Sequence, residues 1–452
     1  MSYLEKTTSG MSDGNLKIWT LSFWMKRAKL GSEQFLWSWG ENNSNDGKLL
    51  FGSGDQLVFM NDGQCGSNQT MTRALRDTNG WYHIVWRCKA DEGSNDNRWK
   101  LYINGELIPA SEYGSPSISN ADGIVNKWST QDCWHGGNAR SQQSGSINPF
   151  YGTLSHIHFC DGYAYDASDF GETDATTGEW KIKTNPSVSY GTNGYFILKN
   201  GNSGTDESPN SNNFTTVGTI TKTEDNPSHV FATINPLQAE GGGSPALTFS
   251  NGNTKVTRSG NWRGHLSTLG ANKGKYYWEI KCTGNVALGI AKFGGDADSW
   301  SYMAGGQSWL GDKNDVWILY NNASSQVKYT GASSGGNWGT VTGDGEVVMI
   351  AFDADNGIIW TGNNGTWHES ATEAEIEAGT TTNAMYSGIS IGSDFFGSVG
   401  AVENGNLEYN FGNGYFGDTA ISSEGTNASG IGKFEFNVPD GFTALSTKGL
   451  NE

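Results

Sequence analysis

The chain has 452 residues, about three times the roughly 150 of an ordinary domain, so two or three domains are expected. Gly is abundant at 64 and Pro scarce at 9, with no Gly-X-Y period, while 18 Trp, 17 Tyr and 20 Phe exclude a disordered chain and predict aromatic cores. The net charge of −18 has no compensating basic segment, which disfavours nucleic-acid binding and contact with anionic membranes.

Met1–Lys6 lacks the apolar core of a signal peptide, and no apolar run approaches the ~20 residues of a membrane span, so no membrane insertion is expected. Ile18–Met25, Tyr82–Trp86 and Trp99–Ile103 mix β-branched and aromatic residues in short runs and predict strands. Asn104-Gly105 then predicts a tight hairpin turn, because both positions tolerate positive φ. Cys65, Cys88, Cys133, Cys160 and Cys282 are odd in number and lack CxxC spacing, which predicts free thiols made in a reducing cytosol. A protein that folds inside a cell and works outside it, as a virion component does, reconciles those thiols with the Asn-, Gly- and aromatic-rich surface.

Further along, His156, His158 and Cys160 alternate on one strand. Two imidazoles and a thiol on one face suggest zinc, but a structural site wants four ligands, so sheet-surface packing is the better reading. Glu172, Asp174 and Glu179 are the nearest approach to a glycosidase carboxylate set. Thr176-Thr177-Gly178 interrupts any strand there, so they read as turn-capping residues.

The composition turns polar between Asn185 and Asn235, and Glu240-Gly241-Gly242-Gly243-Ser244-Pro245 reads as a linker. The expected organisation is a sandwich over 1–184, a polar connector packed on it over 185–239, a Gly-rich linker over 240–246 and a second sandwich over 247–452. Past the linker, Val347–Phe352, the turn Asp353–Gly357 and Ile358–Trp360 spell strand, turn and strand. Only Ala371–Ala378 has helical character. The fold class expected is all-β, as two tandem antiparallel β-sandwiches.

Asp296 and Asp298, in a Gly-rich loop, are the calcium candidates, since two carboxylates and nearby carbonyls supply part of the oxygen shell. No other cofactor is expected. Asp353, Asp355 and Asn356 are what a tight turn demands. Trp19, Phe23, Trp86, Tyr277 and Phe352 lie in alternating strands and belong to the core. Trp300, Tyr302, Trp309 and Trp338 lie among Gly, Ser, Asp and Asn, which makes them the candidate ligand platforms.

Several ordered motifs carry a resemblance. Trp19–Arg27, Trp81–Val85, Leu101–Gly105 and Phe150–Gly162, followed by Phe170-Gly171-Glu172-Thr173-Asp174 and Tyr190–Tyr195, resemble laminin G-like, concanavalin-like domains of marine phage structural proteins. Gly274–Ile280, Val286–Ala291, Ala351–Ile359 and Pro439–Leu445 resemble a SPRY domain. Residues 420–436 depart from that pattern with additional Gly, Ser and Asn. The resemblance implies a non-catalytic phage virion protein, a tail-fibre or capsid appendage that attaches to a host-surface glycan through loops of the second sandwich. Its implied partners are other virion proteins and sister copies, with a three-fold homo-oligomer favoured. The alternatives are a capsid decoration protein that reinforces the particle, or a secreted lectin or glycan-active enzyme, which the missing carboxylate triad and signal peptide disfavour.

Overall fold

The computed structural model describes residues 2–8, 11–42, 45–61, 68–113, 120, 125–128, 132–137, 147–199, 203–239, 246–295, 310, 314–322, 324–331, 333–340 and 342–451. The fold is nearly all β, built from antiparallel sheets. The chain divides into two compact units, 1–222 with 226–228, and 223–225 with 229–452.

In the N-terminal unit, one sheet orders its strands as Thr215–Val217, Tyr3–Lys6, Cys133–His135, Gln34–Asn42, Asn45–Phe51, Gln56–Asn61 and Gln69–Ala74. The other runs Tyr195–Ile197, Gly152–Asp161, Ile18–Arg27, Tyr82–Lys89, Trp99–Ile103 and Glu106–Leu107. Period-two alternation sends Trp19, Leu21, Phe23 and Met25 into the core with Ile84, Trp86, Cys88, Trp99 and Leu101. Trp86 is the hub, its ring within 5.0 Å of Trp19 and 4.9 Å of Trp99, both edge-on as aromatic quadrupoles prefer. The hairpin turn forms as expected, with Asn104 at φ 48° and Gly105 at φ 80°. A Cβ at Gly105 would lie 2.4 Å from the Trp180 ring, so this glycine also seats that indole.

The polar stretch after 184 is an integral part of this unit. Tyr195–Ile197 and Thr215–Val217 supply an edge strand to each sheet. Asp206, buried, holds the loop between them by accepting from the backbone N–H groups of Phe196, Ser208 and Asn212. The division between units falls at 222–229, earlier than the expected 240–246. Ile234–Ala239 pairs with Lys255–Ala271, and Ala232 N–H donates to Leu445 O, so apolar Phe231, Ala232 and Ile234 are buried in the second unit. Residues 240–245 lie outside the described residues.

The C-terminal unit is organised by three long strands, Lys255–Ala271, Lys275–Lys292 and Phe396–Asn410. The two segments Gly274–Ile280 and Val286–Ala291, separate motifs in the sequence, fall from Lys275 onward within the single strand Lys275–Lys292. Its first half pairs with Val347–Asp353 and its second half with Val316–Asn322. The bend comes where Gly284, at φ 75°, meets Asn404-Gly405; a Cβ on Gly284 would lie 1.9 Å from Asn404 O, and one on Gly405 1.8 Å from Thr283 O. Only glycine permits that approach. Within 371–378 the helix spans Glu373–Glu377, with Thr372 and Glu375 forming a capping box.

Closing this unit, Glu279 is fully buried and accepts four hydrogen bonds. Tyr277 OH and Phe436 N–H donate to Oε1, and Asn410 Nδ2 and Glu435 N–H to Oε2, all within 2.8–3.1 Å. Burial nevertheless pushes its carboxyl up to about 7. The divergent stretch 420–436 is thus tied to the central strand at its end.

Candidate functional site

The inner face of the N-terminal sheet is core, so its outer face holds the remaining chemistry. Strand register places Cys160, Thr20, Arg87 and Lys100 side by side in one row, and His158, Ser22, Val85 and Tyr102 in the next. Residues 163–190 fold over these rows. Phe170, Ala167 and the partly buried Tyr165, Trp180 and Tyr190 pack on Val85, Tyr102 and Cys160.

The histidines under this cover are structural. His158 stacks on Phe196 at 3.9 Å and bonds Tyr190 OH at 2.9 Å, and burial drives its pKa far below the usual value. His156 sits at a β-bulge with φ 49°, bonded to Ser155 Oγ. Cys160 is a buried free thiol, as are Cys88, Cys133 and Cys282; Cys65 lies outside the described residues. Among the described residues no group of three or more His, Cys, Asp or Glu side chains is placed to hold a metal ion.

Ser22 and His83 resemble a nucleophile–base pair, but the polarity is reversed. Trp180 Nε1–H donates to His83 Nδ1 at 3.0 Å, so Nε2 carries the ring proton and donates to Ser22 Oγ at 2.9 Å. An imidazole wired this way cannot take the serine proton, and burial holds its pKa at about 3. Glu172 and Asp174 both pair with Lys181, and Asp174 caps the turn by accepting from Thr176 and Thr177 N–H, which holds it at about 2. Asp174 thus does the turn-capping expected of this set, whereas Glu172 lies in the strand Gly171–Thr173 and pairs with Lys181.

At the rim of the cover the residues turn outward. Thr20 Oγ1 donates to Tyr163 O at 2.9 Å and accepts from Tyr165 N–H at 2.8 Å, clamping the loop that leaves Gly152–Asp161. The Tyr163 ring stacks on Tyr165, centroids 5.8 Å apart and planes within 10°, and is 42% exposed. Tyr165 is fixed in turn by accepting from Ser189 N–H through its hydroxyl. The result is a flat, rigid, solvent-facing ring. Other exposed aromatics serve less well: Lys29 already covers Tyr151 at 4.5 Å, and Phe395 has no polar handle.

Beside Thr20, Arg87 is 9% exposed, and its Nε and Nη1 have no hydrogen-bond partner. Its nearest acid is Asp166, 3.6 Å from Nε, too long for a hydrogen bond. Asp166 Oδ1 instead accepts from Tyr102 OH at 2.6 Å. Lys89 is committed to Glu92 at 2.6 Å, and together with Arg87 and Lys100 it holds that carboxyl below the usual range.

Of the candidates read from sequence, Trp338 proves to be a packed residue. It is 8% exposed, its indole N–H donates to Thr361 Oγ1, and Lys328 Nζ stands 3.9 Å over its ring. Its flat face is covered, so it is no open platform. Trp300, Tyr302, Trp309, Asp296 and Asp298 lie outside the described residues. Asp353 is a turn bracket, accepting from Asn356 N–H and Nδ2, and Asp355 accepts from Gly274 N–H. Sequence reasoning missed Tyr163, Arg87 and Asp166. The alternation Tyr163-Ala164-Tyr165 just after a strand was the available signal for the first.

Residues 6–163 match the model of the concanavalin A-like lectin/glucanases superfamily. No curated protein matches the chain. Solved structures that match part of the chain include the PSpry domain of TRIM65 (12% identity, 40% of this chain and 91% of that one, TM-score 0.28). Others are the SPRY domain of human HERC1 (14%, 39% and 96%, TM-score 0.28) and a putative carbohydrate binding protein from Bacteroides ovatus ATCC 8483 (16%, 48% and 56%, TM-score 0.33).

Proposed function

We propose that the chain is a non-catalytic carbohydrate-binding protein that takes its ligand on the outer rim of the N-terminal sandwich, at Tyr163. The observation that carries this is the Tyr163 ring, rigidly stacked on Tyr165 and facing solvent in a unit matched to the lectin/glucanase superfamily. A preformed aromatic face suits the apolar face of a sugar ring and costs little ordering entropy. The acids nearby cap turns and the serine faces a donor, so binding is the role this rim suits.

The setting proposed is a phage virion, with the chain as an appendage in several copies. One aromatic platform contributes only about 1 kcal/mol beyond area burial, so useful adhesion comes from linked sites. The test is titration of the full chain with a panel of neutral and acidic oligosaccharides. Tyr163→Ala is expected to weaken binding about tenfold, and Trp338→Ala to leave affinity unchanged while lowering stability. Unchanged binding by Tyr163→Ala would overturn the assignment.

A further inference from the structure

A cavity of about 300 Å³ opens on the C-terminal unit, where the closing stretch 423–437 lies against Gly365 and Trp367. Its wall is fixed by the fold. The N–H groups of Glu435 and Phe436 are held by buried Glu279, Gly425 N–H donates to Phe434 O, and Thr426 N–H donates to Asn437 Oδ1. The Phe436 ring lies on the Asn364-Gly365 turn, so close that a Cβ at Gly365 would stand 2.9 Å from it.

Three carboxylates, Glu373, Glu424 and Glu435, line this cavity, and none of its lining residues is Lys, Arg or His. Glu435 accepts from Ser422 Oγ at 3.0 Å. Glu373 and Glu424 have no hydrogen bond or ion pair among the described residues. The charge of Glu424 reaches Lys433, but that ammonium is committed to Glu224 at 3.1 Å. Trp367 supplies the opposite polarity. It is only 6% exposed, yet its indole N–H has no partner among the described residues and is not sealed from solvent. Buried donors are normally satisfied, so this one takes its acceptor from what enters the cavity it lines.

We infer that this cavity is a second ligand site, for an amino sugar. The ammonium answers the uncommitted carboxylates, a hydroxyl accepts from Trp367, and the sugar ring packs on Phe436. Lysine and arginine side chains bring donors only and would leave the indole N–H unmet. Ligand pockets run from roughly 300 to 1,000 Å³, and this one, at the small end, suits a sugar unit. The site belongs to the C-terminal unit and does not depend on Tyr163.

The experiment titrates the full chain carrying Tyr163→Ala, so that the N-terminal rim takes no part. The probes are the trisaccharide of glucosamine and its N-acetyl form, which keeps the rings and hydroxyls and removes the charges. With the amines protonated at low salt, the amine form is expected to bind about tenfold tighter. Glu373→Gln combined with Glu424→Gln, at exposed positions that bond to nothing else described, should abolish that preference without changing N-acetyl affinity. Trp367→Phe keeps an aromatic ring, removes the N–H and should weaken both sugars severalfold. Equal affinity for the two forms, or a preference that survives the double variant, would overturn the inference. Trilysine bound as tightly as the amino sugar, and lost equally in the double variant, would overturn the sugar assignment. None of these results bears on the Tyr163 reading, which stands or falls on the oligosaccharide panel.

Discussion

The two sandwiches solve the same problem with different materials. The N-terminal unit stacks two separate sheets on large aromatics, with Trp19, Trp37, Trp39, Trp86 and Trp99 all buried together. The C-terminal unit runs strands of 17, 18 and 15 residues through a glycine corner, so that single strands serve successive partners, and fills the core largely with aliphatic residues. Bulky alternation specifies the first fold and close backbone approach the second. The first unit is therefore most sensitive to lost volume, and the second to what is added at its bends or removed from its buried carboxylate.

That contrast can be broken at its strongest points first. Removing Glu279 by Glu279→Ala strands four donors and should cost the C-terminal unit about 3–5 kcal/mol, read as a lowered calorimetric transition for that unit. Trp86→Ala should cost the N-terminal unit a similar amount, about 3–5 kcal/mol, through a cavity bordered by other tryptophans. Gly284→Ala should cost the C-terminal unit about 1–3 kcal/mol, because the new Cβ meets Asn404 O at a positive φ. The same substitution tried at Gly178, where φ is positive and nothing lies within 4 Å, should cost less.

Acidity sharpens the comparison with a smaller effect. Burial lowers the pKa of His83, His135, His156 and His158 in the N-terminal unit. These rings fold neutral and are protonated when unfolded, so the stability they contribute is present above about pH 6.5 and is lost as pH falls below it. Glu279 works in the opposite sense. Its carboxyl is raised from 4.5 to about 7, so its contribution is complete below about pH 4.5 and fades as pH rises towards 7. The buried His265 and His368 and the half-buried His229 oppose it in the C-terminal unit. Between pH 7 and 5 the N-terminal transition should fall further than the C-terminal one, and Glu279→Gln, which removes the offsetting titration, should narrow the gap.

Much of this was legible in the sequence. Trp19, Phe23, Trp86, Tyr277 and Phe352 are core residues because alternation in a half-buried strand leaves them no other place. The Asn104-Gly105 turn and the Asp353–Gly357 hairpin follow from turn chemistry. The long strand Lys275–Lys292 was not legible as one element, because Gly284 looks like a break when seen alone and becomes a bend only against Gly405, more than a hundred residues away. The division at 222–229 was hidden for a related reason, since polar residues there conceal apolar Phe231, Ala232 and Ile234. Site reading from local composition favoured aromatics among small polar residues. Trp338 fits that description and is covered by Lys328, whereas Tyr163 earns its exposure from a stack and a threonine clamp that only the fold assembles.

The most direct test of the central claim is hydrogen exchange on the full chain with and without the oligosaccharide of the panel that binds it tightest. Slowed exchange confined to residues 162–169 is the result predicted for a ligand held at Tyr163. Protection confined to residues 325–339 around Trp338, with the N-terminal rim unchanged, would contradict the account.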